Sequence, residues 1–70
     1  MDRFMIEGTL LVSVGYNPYK SDLEIEFKDG SVMLYMGVPA PIYNALVRSE
    51  NTDAYYEKHI KDIFIHWRVL

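Results

Sequence analysis

The most regular pattern in the chain is an alternation of apolar and charged residues in its first half. Leu23, Ile25 and Phe27 alternate with the charged residues Glu24, Glu26 and Lys28. Because successive side chains of a strand point to opposite faces, this period of two predicts a strand near residues 22–28 with one buried and one wet face. Asp29-Gly30 follows at once, and Asp-Gly between two β-like runs predicts a hairpin with a two-residue type I′ turn.

Two more runs with strand character flank this segment. Residues 9–16 are rich in Val, Leu and Thr, which suit a half-buried pleated surface, and Asn17-Pro18 predicts a turn after them. Residues 31–36 return after the hairpin and end at Gly37-Val38-Pro39, since proline cannot donate a hydrogen bond to a strand ladder. Together the three runs predict a three-stranded antiparallel sheet.

The apolar residues take on a helical period after Pro39. A first helix is predicted near residues 40–48 by four apolar side chains at helical spacing: Ile42, Tyr43, Leu46 and Val47. A second helix is predicted near residues 52–61, where Tyr56 and Ile60 are four residues apart and share one face. Asn51 or Thr52 is expected to cap it.

The predicted fold class is α+β, with a three-stranded antiparallel sheet (β-β-β) followed by two helices. Residues 63–70 are compatible with a short fourth, C-terminal strand or with an extended tail that packs. The sheet needs a cover on one face, and the two helices are the only candidates. Six side chains are expected to be largely buried in the resulting core: Leu23, Ile25, Phe27, Leu46, Tyr56 and Ile60.

Composition indicates one small domain over residues 1–70 with a thin core. The chain has no cysteine, so ten aromatic residues (one Trp, six Tyr, three Phe) must supply much of the burial. A net charge of −3 is the wrong sign for holding nucleic acid by bulk electrostatics. The first residues do not resemble a signal peptide, and the longest apolar run, Val32–Met36, is too short to span a membrane. We therefore expect a cytoplasmic protein without membrane contact.

Residue patterns for catalysis or metal binding are weak, and we expect a non-enzymatic protein with no cofactor and no metal site. Glu24 and Glu26 share one strand face and could form an acid–base pair, but a solvated outer strand face with Lys28 beside them is the simpler interpretation. His59 and His66 are the only histidines and are seven residues apart, whereas zinc sites need three or four converging ligands. No serine lies in a Gly-any-Ser-any-Gly context.

Aromatic and basic residues interleave along the chain, a pattern with two interpretations. Rings beside cations bind single-stranded RNA by stacking and phosphate contacts, whereas a small domain without disulfides needs the same rings in its core. We favour the core for most of them and keep a local basic–aromatic set as candidate binding residues: Tyr35, Lys58, His59, Lys61, Trp67 and Arg68.

An ordered set of positions resembles the KTSC domain. The set is Val14-Gly15-Tyr16-Asn17, Leu23, Ile25, Phe27, Gly30, Tyr35, Val38-Pro39, Tyr43, Leu46, Tyr56, Ile60 and Phe64. The resemblance runs from about Thr9 to Arg68. It departs from the family pattern where the first residue of the central Tyr-any-Tyr motif is Met33, where the Ser-any-Gly motif falls on Asn51-Thr52-Asp53, and where an Asn is replaced by Glu57.

The resemblance implies a small module found alone in bacteria and phage, and also at the C-terminus of some lysyl-tRNA synthetases. From the residues and the resemblance together we expect a macromolecule-binding module of the KTSC type, first of all in a protein-interaction or accessory role with an unidentified protein partner. The alternative is weak RNA binding through the C-terminal basic–aromatic patch. The sequence leaves the oligomeric state open.

Overall fold

The computed structural model describes residues 3–70 as a five-stranded antiparallel sheet with two helices. The elements in chain order are β1 (Arg3–Met5), β2 (Leu11–Asn17), β3 (Asp22–Phe27), β4 (Val32–Tyr35), α1 (Ala40–Arg48), α2 (Thr52–His59) and β5 (His66–Arg68). The strands lie side by side in the order in which they occur in the chain. Both helices therefore fall in the connection from β4 to its neighbour β5.

The α+β class is confirmed, but a three-stranded sheet with an optional fourth strand understates what is observed. The three predicted strands are β2, β3 and β4, and the optional C-terminal strand is β5. The prediction missed β1, which pairs with β2 through Arg3 opposite Gly15 and Met5 opposite Ser13. All three residues of β1 are exposed, so it carries no alternation of buried and wet positions that a sequence pattern would reveal.

The core lies between one face of the sheet and the two helices. Leu23 and Ile25 are both 0% exposed, which confirms the register inferred from the period of two. Leu46, Tyr56 and Ile60 close the core from the helical side. Phe27 is the exception among the predicted core residues. It is only partly buried, since it ends β3, and its ring packs edge-on against Tyr56 at 5.4 Å between centroids.

The predicted hairpin joins β3 to β4, but its turn is not of type I′. The Phe27 N–H donates to Ser31 O at 2.9 Å, which leaves a loop of three residues instead of two. Positive φ occurs at Gly30 (90°) and not at Asp29, whose carboxylate instead accepts from the Ser31 N–H at 2.9 Å. A three-residue loop with glycine in the last position is the next most common hairpin connection, and it uses the same Asp-Gly pair.

The helices begin where the sequence indicates. Helix α1 spans the predicted residues 40–48 with proline in its first turn. Asn51 is the N-cap of α2, and its side chain accepts from the Ala54 N–H at 3.0 Å. Helix α2 ends at His59, two residues before the predicted limit, and the buried Ile60 is its C-cap. Between residues 3 and 70, no helix has the length and apolar character needed to cross a membrane.

Candidate interaction surface

The two faces of the sheet differ in what covers them. On β3, Leu23 and Ile25 point at the helices and are fully buried. Glu24 therefore points to the opposite side, because successive side chains of a strand alternate. We call this opposite side the outer face. The helical residues of the core all pack on the other side, so neither helix covers the outer face.

The register places a group of apolar side chains on the outer face along β4 and β5. Glu24 lies opposite Leu34, and Leu34 lies opposite Trp67. Backbone hydrogen bonds from Met36 N–H to Ile65 O and from Val69 N–H to Val32 O extend this pairing beyond the ends of β5. We call the resulting set the apolar strip. Its members are Val32, Leu34, Met36, Ile65, Trp67 and Val69.

The apolar strip is exposed mainly along β5, the strand at the edge of the sheet. Ile65 is 75% exposed, Val69 52% and Trp67 49%, whereas Val32 is buried. Single exposed apolar residues are common on proteins, but a contiguous group on one face is the usual mark of an interaction site. The strand β4 is also apolar on both of its faces, a pattern typical of strands that are covered on both sides.

The part of the outer face next to the apolar strip is acidic. Asp22, Glu24 and Glu26 all lie on this face of β3, since they alternate with the buried residues. The Arg3 guanidinium forms an ion pair with Glu24, and the Ser13 hydroxyl donates to Glu26 Oε1 at 2.8 Å. This part of the outer face therefore holds three carboxylates, on β3, and one arginine, on β1. This agrees with the expectation of a solvated strand face, although both glutamates are partly buried.

The structure divides the basic–aromatic residues nominated from the sequence between two sides of the sheet. Lys58, in the last turn of α2, and Lys61, just after the helix, are both exposed in the helical layer. Trp67 lies on the outer face, opposite Leu34. Arg68 lies opposite Met33 and so points to the helical side, where its Nε donates to Leu70 O at 3.0 Å. Trp67 therefore does not share a surface with the cations it was grouped with.

Tyr35 lies inside the core and presents no ring to a ligand. It is 1% exposed, and its hydroxyl is hydrogen-bonded to the Tyr56 hydroxyl at 2.5 Å. Burial raises the pKa of Tyr35 well above its ordinary value, and the hydrogen bond with Tyr56 raises it further. Burial also raises the pKa of Tyr56. These two hydroxyls satisfy each other in the core, so their role is structural.

The two histidines each pack against a tyrosine. The His66 ring stacks on Tyr35 with 4.9 Å between centroids, and its Nδ1 lies 3.0 Å from Phe64 O. The His59 ring lies 4.4 Å from that of Tyr55. Within residues 3–70, no three His, Asp or Glu side chains are grouped as a metal ion requires.

An open hollow of about 490 Å³ lies between β1 and the start of α2. Phe4, Ile6, Val47 and Asp53 are among the residues that line it. The Asp53 carboxylate accepts hydrogen bonds from the backbone of residues 9–11 and from a threonine hydroxyl. The Asp53 carboxylate is therefore engaged in holding the fold, so we do not treat the hollow as the candidate site.

Sequence reasoning missed most of the apolar strip, although two signals pointed to it. Ile65, Trp67 and Val69 alternate with the polar His66 and Arg68, which is the period of a half-buried strand. The unbroken apolar run Val32–Met36 indicates a strand that is apolar on both faces. Only the pairing of β4 with β5 shows that the two signals belong to one surface.

The chain is similar in sequence to one protein family and to individual proteins. The sequence profile of the KTSC domain matches residues 8–64. An uncharacterised protein of Stutzerimonas stutzeri is 29% identical over 70 residues, which make up 99% of each chain. A protein of Tsukamurella paurometabola is 27% identical over 59 residues, covering 84% of this chain and 88% of that one.

A solved structure has the same fold. The crystal structure of a KTSC domain protein from Yersinia pestis superposes with a TM-score of 0.95 at 23% sequence identity. The match covers 99% of this chain and 97% of that one. The five-stranded arrangement, including both edge strands, is therefore shared by a protein whose sequence has diverged widely.

Proposed function

Because the chain belongs to the KTSC domain family, which matches residues 8–64, we propose that it is a non-enzymatic protein-interaction module that binds its partner through the apolar strip. The observation that carries this proposal is the strip itself. Three of its six side chains, Ile65, Trp67 and Val69, are about half exposed or more on a sheet face that neither α1 nor α2 covers. A domain of 70 residues has a thin core, so it gains stability when a partner buries an exposed apolar face.

The composition of the strip fits protein recognition. Tryptophan and methionine are enriched in protein interfaces, and tryptophan is the residue that most often contributes a large share of the binding energy. Trp67 lies in the middle of its strand, between Ile65 and Val69, which is where such a residue is expected in an interface. The flanking carboxylates on β3 supply the polar rim that surrounds an apolar centre.

Weak RNA binding, the alternative interpretation, has less support from the same geometry. Stacking requires exposed rings beside cations, but Tyr35 is buried and Trp67 lies on the face opposite Lys58 and Lys61. The charged neighbours of Trp67 on the outer face are the carboxylates of β3, which repel phosphate. Protein binding therefore remains the better interpretation of this surface.

The proposal is tested by affinity capture with variants of the strip. Ile65→Glu places a charge in the exposed part of the strip, and Tyr19→Glu places the same charge at a turn residue that is 97% exposed. We expect wild type and Tyr19→Glu to retain the same specific proteins from lysate, and Ile65→Glu to lose them. Capture is repeated after RNase treatment, and the protein set should survive it.

Two results would contradict the proposal. Retention of the same proteins by Ile65→Glu would show that binding occurs elsewhere on the molecule. Loss of the proteins after RNase would show that RNA holds them, and the alternative would then replace the proposal. Circular dichroism and a thermal melt of each variant establish that both are folded before the comparison is made.

A further inference from the structure

We infer that the occupant of the apolar strip is a single amphipathic α-helix of a partner protein, bordered by Lys or Arg on the side that faces β3. This inference rests on the proposed function and specifies the partner's chemistry. It follows from three properties: the width of the strip, the apolar character of both faces of β4, and the sign of the charge beside the strip.

The dimensions of the strip match one helix. The strip occupies two neighbouring strands, β4 and β5, and ends where the charged side chains of β3 begin. Two strands at their usual spacing make a surface about 10 Å wide, which is about the diameter of one helix with its side chains. Along β4 and the residue after it, the strip runs from Val32 to Met36, about 13 Å, or about 9 residues of helix.

The helix would complete an arrangement that sheets commonly adopt. The strand β4 is apolar on both faces, and α1 and α2 lie on one side only. A helix on the outer face would bury the second side and give three layers, helix on sheet on helix. An amphipathic helix presents its apolar residues in one stripe, so a strip two strands wide takes that stripe and leaves the polar side in water.

The charge beside the strip determines which charged residues the partner helix should carry along the side next to β3. Asp22, Glu24 and Glu26 lie on the outer face of β3, and Arg3 forms an ion pair with Glu24. Lys28, the next charged residue, lies beyond the strand in the hairpin turn. A helix seated on the strip has one long side against these carboxylates, so basic side chains on that side form favourable pairs and acidic ones are repelled.

A second copy of this chain fits the surface less well than a basic-bordered helix. A sheet laid on the outer face extends beyond two strands, so it would reach the carboxylates of β3. In a two-fold arrangement whose axis runs across the strands, the β3 of the copy would lie over this one and like charges would be buried together. Pairing through the free edge of β5 would join the two strips side by side and leave both uncovered.

The test uses synthetic peptides of about 20 residues, longer than the roughly 12–15 residues below which isolated helices are marginal in water. The first peptide has a leucine stripe with lysine on one border, and the second has the same stripe with glutamate in place of lysine. A third keeps the lysines but has serine in the stripe. None contains tryptophan, so the fluorescence of Trp67, the single tryptophan of the chain, reports binding to the strip.

We expect the lysine-bordered peptide to bind roughly fivefold more tightly than the glutamate-bordered one, a difference that narrows with added salt. The Trp67 emission should shift to the blue as its ring becomes buried. The serine-stripe peptide should not bind. Ile65→Glu should weaken binding of the lysine-bordered peptide about tenfold, while Tyr19→Glu should leave it unchanged.

A matched pair of charge variants tests the border. Glu24→Gln with Glu26→Gln should remove the preference for lysine over glutamate. Glu50→Gln with Glu57→Gln changes the net charge equally but alters exposed residues of the helical layer, and should keep the preference. Loss of the preference in both double variants would show a nonspecific charge effect and would contradict the assignment of the border.

Three outcomes would overturn the helix assignment. The first is equal binding, or no binding, of the lysine- and glutamate-bordered peptides. The second is concentration-dependent dimerisation in sedimentation that Ile65→Glu abolishes, which would make a second copy the occupant. The third is capture of an RNase-resistant partner that Ile65→Glu releases but whose contacting segment is not helical. In the third case the proposed function stands and only the partner's form is wrong.

Discussion

Asp53 and Thr9 are 44 residues apart in the chain and are joined by two hydrogen bonds. The Asp53 Oδ2 atom accepts from the Thr9 N–H at 2.8 Å and from the Thr9 hydroxyl at 2.5 Å. The same carboxylate also accepts from the backbone N–H groups of Leu10 at 3.1 Å and Leu11 at 3.3 Å. One side chain in the first turn of α2 therefore holds the segment that leads into β2.

The Asp53 carboxylate should make the stability of the fold depend on pH. Burial raises the pKa of Asp53, but the hydrogen bonds from Thr9, Leu11 and Leu10 outweigh burial and hold the pKa below its ordinary value of 3.8. Because the pKa is lower in the folded state, the stabilisation is fully present above the ordinary value and is lost as pH falls through the folded one. Urea unfolding measured between pH 7 and pH 2 should show this loss.

Asp53→Asn should lower the unfolding free energy at pH 7 by about 1–2 kcal/mol, since the amide is a weaker acceptor and carries no charge. It should also flatten the decline of stability in acid. Asp62→Asn is the matched control, because Asp62 is exposed and accepts none of the hydrogen bonds described. An equal acid dependence in wild type and Asp53→Asn would contradict the role given to this carboxylate.

Gly8→Ala should be destabilising because the added methyl group would clash with neighbouring side chains. A Cβ at Gly8 would lie 2.7 Å from Asp53 Oδ1 and 3.2 Å from Thr52 Oγ1, and the carboxylate is held by four hydrogen bonds. We expect a cost of about 1–3 kcal/mol in urea unfolding. In an Asp53→Ala background the same substitution should cost less, because the nearest obstructing atoms, those of the Asp53 carboxylate, are gone and only Thr52 Oγ1 remains. A cost that is equal in both backgrounds would place its cause in the backbone.

The hydroxyl pair in the core should show strong coupling. Tyr35→Phe leaves the buried Tyr56 hydroxyl without its partner, and Tyr56→Phe does the same to Tyr35. Each single change should cost about 1–3 kcal/mol of unfolding free energy, whereas the double change removes both polar groups and should cost less than the sum. Additive effects of the two changes in chemical denaturation would mean that the hydroxyls act independently.

Gly30→Val should be strongly destabilising because of backbone conformation alone. Gly30 has φ of 90°, and a Cβ placed there would meet no atom within 4 Å. A β-branched residue at positive φ is strained, and we expect a cost of about 1–3 kcal/mol. Gly30→Asn should cost less, since asparagine tolerates positive φ better than valine does. Thermal unfolding of the two variants distinguishes them, and equal midpoints would exclude conformational strain as the cause.

Generic single-stranded RNA should bind no more tightly than about 100 μM at physiological salt, a nonspecific level. The net charge is −3, and Lys58, Lys61 and Arg68 would release only about two to three counterions, so the salt dependence should be shallow. Fluorescence anisotropy with a labelled oligonucleotide across a salt series measures both quantities. Binding tighter than about 1 μM with a steep salt slope would reverse the order of the two functions. Lys58→Glu with Lys61→Glu should then abolish it.

Local pattern was sufficient to predict the centre of the fold. The alternation through Leu23 and Ile25 gave the register of β3, because a period of two allows only one face to be buried. The helical spacing of the apolar residues up to Leu46 predicted α1, and the cap at Asn51 predicted the start of α2. Each of these signals is contained within a few consecutive residues. These are short-range properties of the chain, and a single sequence contains them.

The edges of the sheet and the outer face depend on contacts between distant residues. The strands β1 and β5 have three residues each and exist because they pair with β2 and β4. Trp67 was grouped with Lys58 and Lys61 because they are close in sequence, but its pairing with Leu34 places it on the other side of the sheet. Nearness along a chain does not determine which face a side chain occupies, because that depends on strand register. The apolar strip is therefore a property of the tertiary structure, although every residue in it is visible in the sequence.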